Sequence, residues 1–132
     1  MSDPSLELQE AIIATLKGNV GNAVGDRVFD EPQTNPLFPY ITLGDCQILP
    51  DKADCIDGVI AYPIVHIYSQ EPGFTETKTI SKAVLALLDD QPMSLPGFDV
   101  VVFEVEDVRY LRDPDGLSRH AAITFHSLIQ PS

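Results

Sequence analysis

Asp113-Pro114-Asp115-Gly116 constrains this chain more than any other four residues. Proline presets φ for the second position of a type I turn, and glycine supplies the positive φ that follows. Such a turn predicts a β-hairpin closed by a three-residue loop. The predicted register places Val105 opposite Phe125, Val101 opposite Ile129 and Asp107 opposite Ile123. On the other face Glu104 meets His126, and Tyr110 meets His120. One face of the hairpin is then mostly apolar and the other mostly polar.

Upstream, the periodicity alternates between helix and strand. Residues 4–17 predict a helix: Asp3 caps it, Pro4 suits its first turn, and Leu8, Ala11, Ile12, Thr15 and Leu16 form one apolar face. Gly18-Asn19 ends it. Residues 18–39 are rich in loop formers, with only Arg27-Val28-Phe29 able to pair as a short strand. Tyr40–Ile48 and Val59–Ser69 predict two strands joined by the acidic turn segment Leu49–Asp57. Pro63 inside the second strand implies an edge position or a bulge. After Glu71-Pro72-Gly73 a second helix runs over residues 74–88, with Thr77, Ile80, Val84, Leu87 and Leu88 as its stripe. Asp89-Asp90 at its C-terminus opposes the helix dipole; nothing in the sequence explains the pair, which leaves a partner as its reason. The expected fold is α+β, one domain over residues 1–132, with an antiparallel sheet of about four strands and two helices packed on one face.

Composition narrows the function. With 20 acids against 8 bases the net charge is −12, and only Arg109, Arg112 and Arg119 cluster. A chain that grips phosphate backbones needs a positive face, so this one should repel DNA. A hydrophobic content of 44% fits a globular domain, and no stretch approaches the ~18 apolar residues of a membrane span. The start, Met1-Ser2-Asp3-Pro4, lacks a basic region and an apolar signal core, so the expected location is the compartment of synthesis. Cys46 and Cys55 can pair in principle, but two free thiols in a reducing cytoplasm are the simpler expectation.

Catalytic and metal signatures are missing from the sequence. His66, His120 and His126 show no zinc-ligand spacing, and the last two lie roughly 20 Å apart on one strand. They are expected as solvated histidines beside Glu104 and Tyr110. Asp51, Asp54 and Asp57 lack the ligand order of a calcium loop. Ser69 and Ser118 have no nucleophile-elbow context, and no glycine loop is built to cradle phosphate. No catalytic, metal or cofactor residue is therefore assigned.

The order of motifs carries a resemblance. An amphipathic helix is followed by a proline-flanked loop into Phe38-Pro39-Tyr40-Ile41 with Gly44, then by a strand ending at Tyr68-Ser69. Pro72-Gly73-Phe74 opens the second helix. The closing hairpin carries Arg112-Asp113-Pro114-Asp115-Gly116 at its tip and Arg119-His120-Ala121 on its return strand. This order resembles the tail-completion, or tail-terminator, family of long-tailed bacteriophages, prophages and gene-transfer agents, over nearly the whole chain.

The resemblance implies a non-enzymatic structural protein of the virion tail or neck, made in the bacterial host cytoplasm. It implies a ring, typically a hexamer, between the tail-tube protein and a head-side stopper or connector. An acidic ring would let DNA pass without specific binding. Two alternatives are another neck protein and a small cytosolic enzyme or ligand-binding domain. Candidate ring or partner contacts are Leu37, Phe38, Arg112, Asp113, Asp115 and Arg119; candidate channel-facing acids are Asp45, Asp51, Asp54 and Asp57.

Overall fold

A computed structural model describes residues 1–32, 34–51 and 57–132. Helix α1 spans Ser5–Leu16. Asp3 Oδ1 accepts the Ser5 amide at 2.9 Å, satisfying one of the free donors at the helix start. Leu8, Ile12 and Leu16, spaced by four, are buried. Gly18 follows at φ +76°, where an L side chain would be strained.

The segment from Gly18 to Phe29 contributes more to the core than its composition suggests. Val20, Val24 and Val28 enter the core. Arg27 Nε donates to the Pro39 carbonyl at 3.0 Å, and its guanidinium also reaches the Ala23 carbonyl. Strand β1 (Val28–Phe29) pairs parallel with the start of β2 (Tyr40–Asp51).

The remaining elements are β3 (Gly58–Ser69), α2 (Thr75–Leu88), β4 (Ser94–Leu95), β5 (Phe98–Arg112) and β6 (Arg119–Pro131). Among the described residues they complete one six-stranded sheet in the order β1-β2-β3-β6-β5-β4. Each of the four long strands runs antiparallel to its long neighbours, as expected. Two-residue strands at the edges make the sheet six-stranded and mixed. Residues of β3 and β6 alternate strictly: Val59, Ala61, Val65 and Ile67 with Ala121, Ile123, Phe125 and Ile129 are buried under the helices. The apolar stripe of α2 packs on that face through Ile80, Val84 and Leu88, and Phe103 stacks on Phe125 at 4.9 Å.

Three irregularities depart from the expected pairing. First, Pro63 lies in a central strand, so of its two expected settings the bulge is the one found. The β2–β3 register shifts between Leu43 and Cys46, opposite Pro63. On the β6 side the pairs run from Ala61–Ser127 to Ile64–Thr124 and skip Pro63, which has no N–H to donate. Second, β5 shifts register twice, between Val100 and Val102 and between Val105 and Asp107. Val105–Phe125 and Glu104–His126 pair as expected, but Val100 takes the place of Val101 opposite Ile129. Asp107 faces Thr124 instead of Ile123, and Tyr110 faces Ala121 instead of His120. Third, the tip is longer than a three-residue loop, since the Asp113 amide donates to the Ser118 carbonyl at 2.9 Å.

Asp89 and Asp90 have a structural role after all. Asp89 Oδ1 accepts the Val105 amide at 2.8 Å, and the Asp90 amide donates to the Phe103 carbonyl at 3.0 Å. Asp90 adopts φ +56°, a conformation Asp tolerates better than most residues. The turn after α2 thus satisfies the outer side of β5 where, among the described residues, no strand lies. Among the described residues no helix is long and apolar enough to cross a membrane.

Candidate assembly surfaces

The candidate contact residues gather at one end of the sheet. Tyr40 at the start of β2, Tyr68 at the end of β3, His120 at the start of β6 and Leu111 near the end of β5 lie side by side through their pairing. Residues 34–39, which lead into β2, and the β5–β6 tip both adjoin that end.

Within the loop, Leu37 and Phe38 behave differently. Leu37 is 71% exposed. Phe38 is half-buried and packs against the Tyr40 ring at 5.0 Å, so part of it covers the protein's own surface.

The tip is held by its own side chains. Gly116 takes φ +74°, as the turn motif requires, and its amide donates to the Asp113 carbonyl at 3.1 Å. Asp115 accepts the Leu117 and Ser118 amides at 2.8 Å each and the Ser118 hydroxyl at 2.7 Å. Those bonds from Ser118 and Leu117 hold its carboxyl below the usual carboxylate range. Asp115 is thus committed to the turn more than to a partner. Arg112 stacks over the Phe74 ring at 5.3 Å, and Arg119 donates to the Leu117 carbonyl at 3.0 Å. Leu117, 65% exposed, is the apolar residue the tip presents outward, and the sequence patterns had not singled it out.

The histidines were the larger omission. His66 Nδ1 lies 2.8 Å from His120 Nε2, and His66 Nε2 lies 2.8 Å from Asp45 Oδ2. His120 Nδ1 is 3.6 Å from Asp113. These four residues cross the sheet face away from the helices, linking the β2 bulge to the tip. An aromatic row runs beside them: Tyr40 stacks on Tyr68 at 5.0 Å, and Tyr68 on His120 at 4.5 Å. Burial first, then His66, lowers the His120 pKa against the opposing pull of Asp113. The strand positions of His66 and His120 were legible, but their convergence depends on which strands are neighbours. His126 sits 3.2 Å from Glu104, matching the expected pair.

The acidic candidates do not form one cluster. Asp45 occupies the β2 bulge, bonded to His66, while Asp51 lies at the far end of β2, roughly 20 Å along the strand. Asp57 is near the amino-terminal ammonium at 3.8 Å. Asp54 and Cys55 lie outside the described residues; Cys46 is a free thiol. Among the described residues no three His, Cys, Asp or Glu side chains converge as metal ligands.

A chain in the virion of a native gene transfer agent particle has the same fold. It is 19% identical, with a TM-score of 0.89 over 98% of this chain and 99% of that one. No curated protein sequence matches the chain. Residues 10–130 match the family described as tail completion protein gp17, and the chain belongs to that family.

Proposed function

We propose that the protein is a structural component of a phage or gene-transfer-agent particle that ends the tail tube and joins it to the head-side connector. The observation that carries this reading is family membership over residues 10–130. The fold shared with a gene-transfer-agent virion chain supports it. The protein acts by assembly, as a ring of six copies, and not by catalysis. Its partners are further copies of itself, the tail-tube protein and a head-side stopper or connector.

The charge suits that place. A net charge of −12 makes a ring that repels DNA, so the duplex slides through without adhering. The candidate channel lining is Asp51 at the end of β2 with Asp57 beside β3, and Asp45 lies roughly 20 Å back along β2. Leu37 and Leu117 project from the opposite end, where a partner ring would cover them. Contacts between copies join one patch to a different patch, since only such contacts close rings above two.

Deletion of the gene should leave tails of uncontrolled length that fail to join heads. Particle imaging should then place the protein as a ring at the head-proximal end of the tube. Normal, joined particles in the deletion strain would reject the assignment. Tails of normal length that still fail to join would instead favour a stopper or connector. Leu37→Glu with Leu117→Glu should leave the subunit folded and lower the yield of joined particles.

A further inference from the structure

Each outer long strand has a stretch with no strand beside it. Strand β1 covers β2 only at Ile41 and Thr42, and β4 covers β5 only at Phe98 and Asp99. The turn after α2 serves Phe103 and Val105. Among the described residues no strand flanks β2 beyond its bulge, nor β5 from Val108 to Arg112.

Ladder alternation shows which peptide groups face outward there. The Ile41 amide donates outward to the Arg27 carbonyl. After the register shift at the bulge, the outward residues of β2 are Cys46, Ile48 and Pro50. On β5 the Val105 amide and Phe103 carbonyl face outward, and after the shift at residue 106 the outward residues are Val108, Tyr110 and Arg112.

We propose that these two edges pair between neighbouring copies, β2 of one against β5 of the next, with Ile48 opposite Arg112 and Pro50 opposite Tyr110. The inference rests on the ring reading above and names the contact that closes it. Three antiparallel steps separate β2 from β5, so a copy added with the same face outward brings its β2 antiparallel to β5. Ile48 and Arg112 exchange two hydrogen bonds. Pro50 lacks a donor and accepts one from the Tyr110 amide, a role open to proline only on an edge.

The side chains agree with this register. On the face away from the helices it brings Leu49 onto Leu111, two large apolar residues left 38% and 41% exposed. It also sets Asp51 opposite Arg109. The basic cluster of the chain thus meets its acidic hairpin, while the net charge of −12 makes other approaches repulsive. One edge meets a different edge, so the contact is heterologous. Because the open stretches lie at opposite ends of the sheet, the strands incline to the ring axis, as they do in closed barrels.

Cross-linking tests the register. In a Cys46→Ser, Cys55→Ser background, Leu49→Cys with Leu111→Cys should give, on mild oxidation of assembled protein, a ladder of covalent oligomers ending at the ring. The two positions face each other in a non-hydrogen-bonded pair, where Cα atoms lie about 4.5 Å apart, within disulfide reach. Leu49→Cys with Val101→Cys should give none. Rings that persist by particle imaging while the first pair stays monomeric, or while both pairs cross-link equally, overturn the edge pairing and leave the ring reading standing. Absence of any ring from unmodified protein, in solution and in particles, overturns both. Arg109→Asp should weaken each contact about fivefold, the effect of a surface ion pair near 1 kcal/mol, and Asp51→Arg in the same chain should restore it. Failure of that rescue counts against the register.

Discussion

His66 Nδ1 and His120 Nε2 lie 2.8 Å apart, and each imidazole turns its other nitrogen to a carboxylate, Asp45 at 2.8 Å and Asp113 at 3.6 Å. Carboxylates only accept, so His66 donates to Asp45 and accepts from His120. His120 then presents a bare Nδ1 to Asp113, at a distance too long for a hydrogen bond.

This arrangement favours neutral His120, whose pKa is lowered by burial and then by His66, against the pull of Asp113. Below the usual value of 6.5 the unfolded chain binds a proton that the folded chain resists. Stability is therefore full above pH 6.5 and declines as pH falls through the folded pKa. Thermal melts between pH 7.5 and 5 should show that decline. His120→Phe, which keeps a ring to stack on Tyr68, should flatten the slope; an unchanged slope would remove His120 as its source.

Gly116 should not tolerate a β-branched residue. A Cβ there meets nothing within 4 Å, so the whole effect comes from φ +74°. Gly116→Val should cost about 1–2 kcal/mol in urea unfolding, whereas Gly116→Asn should cost less. Equal losses for both would point to a contact instead.

The Asp115 carboxylate holds the tip through Leu117 and Ser118. Its pKa lies below the ordinary 3.8, so its contribution is present above that pH and is lost as pH falls through the folded value. Asp115→Ala should speed amide exchange at Leu117 and Ser118 at neutral pH and leave the β3 amides protected. Exchange that accelerates throughout the sheet would mean the tip is part of the global fold.

Asp89→Ala leaves the Val105 amide without its acceptor. The expected loss is about 1–3 kcal/mol, the cost of an unsatisfied, partly buried donor. Asp89→Asn retains a carbonyl oxygen and should recover most of it. If both variants match wild type in urea, the edge bond is dispensable.

These residues also show how far the sequence was legible. Helical spacing located Leu8, Ile12 and Leu16, and the Asp113–Gly116 motif located the closing hairpin, because both signals are local. Alternation located the four long strands and their two hairpins, but not which strands of the two hairpins are neighbours. It did not locate the bulges either: one extra residue at 106 moved His120 from Tyr110 to Leu111, and no pattern in Val105-Glu106-Asp107 announces it. Asp89 looked unfavourable because its reason, an amide on β5, is 16 residues away. The pairing of His66 with His120 spans 54 residues and requires β3 beside β6.

The bond from Asp89 to Val105 has a further consequence. A fifteen-residue edge open along its whole length could template a strand in many registers and grow into fibrils. With Phe103 and Val105 already occupied and β4 beyond them, only the last few residues can accept a newcomer. Two aspartates that oppose the dipole at the end of a helix thereby shorten the stretch of β5 that a foreign strand could use as a template.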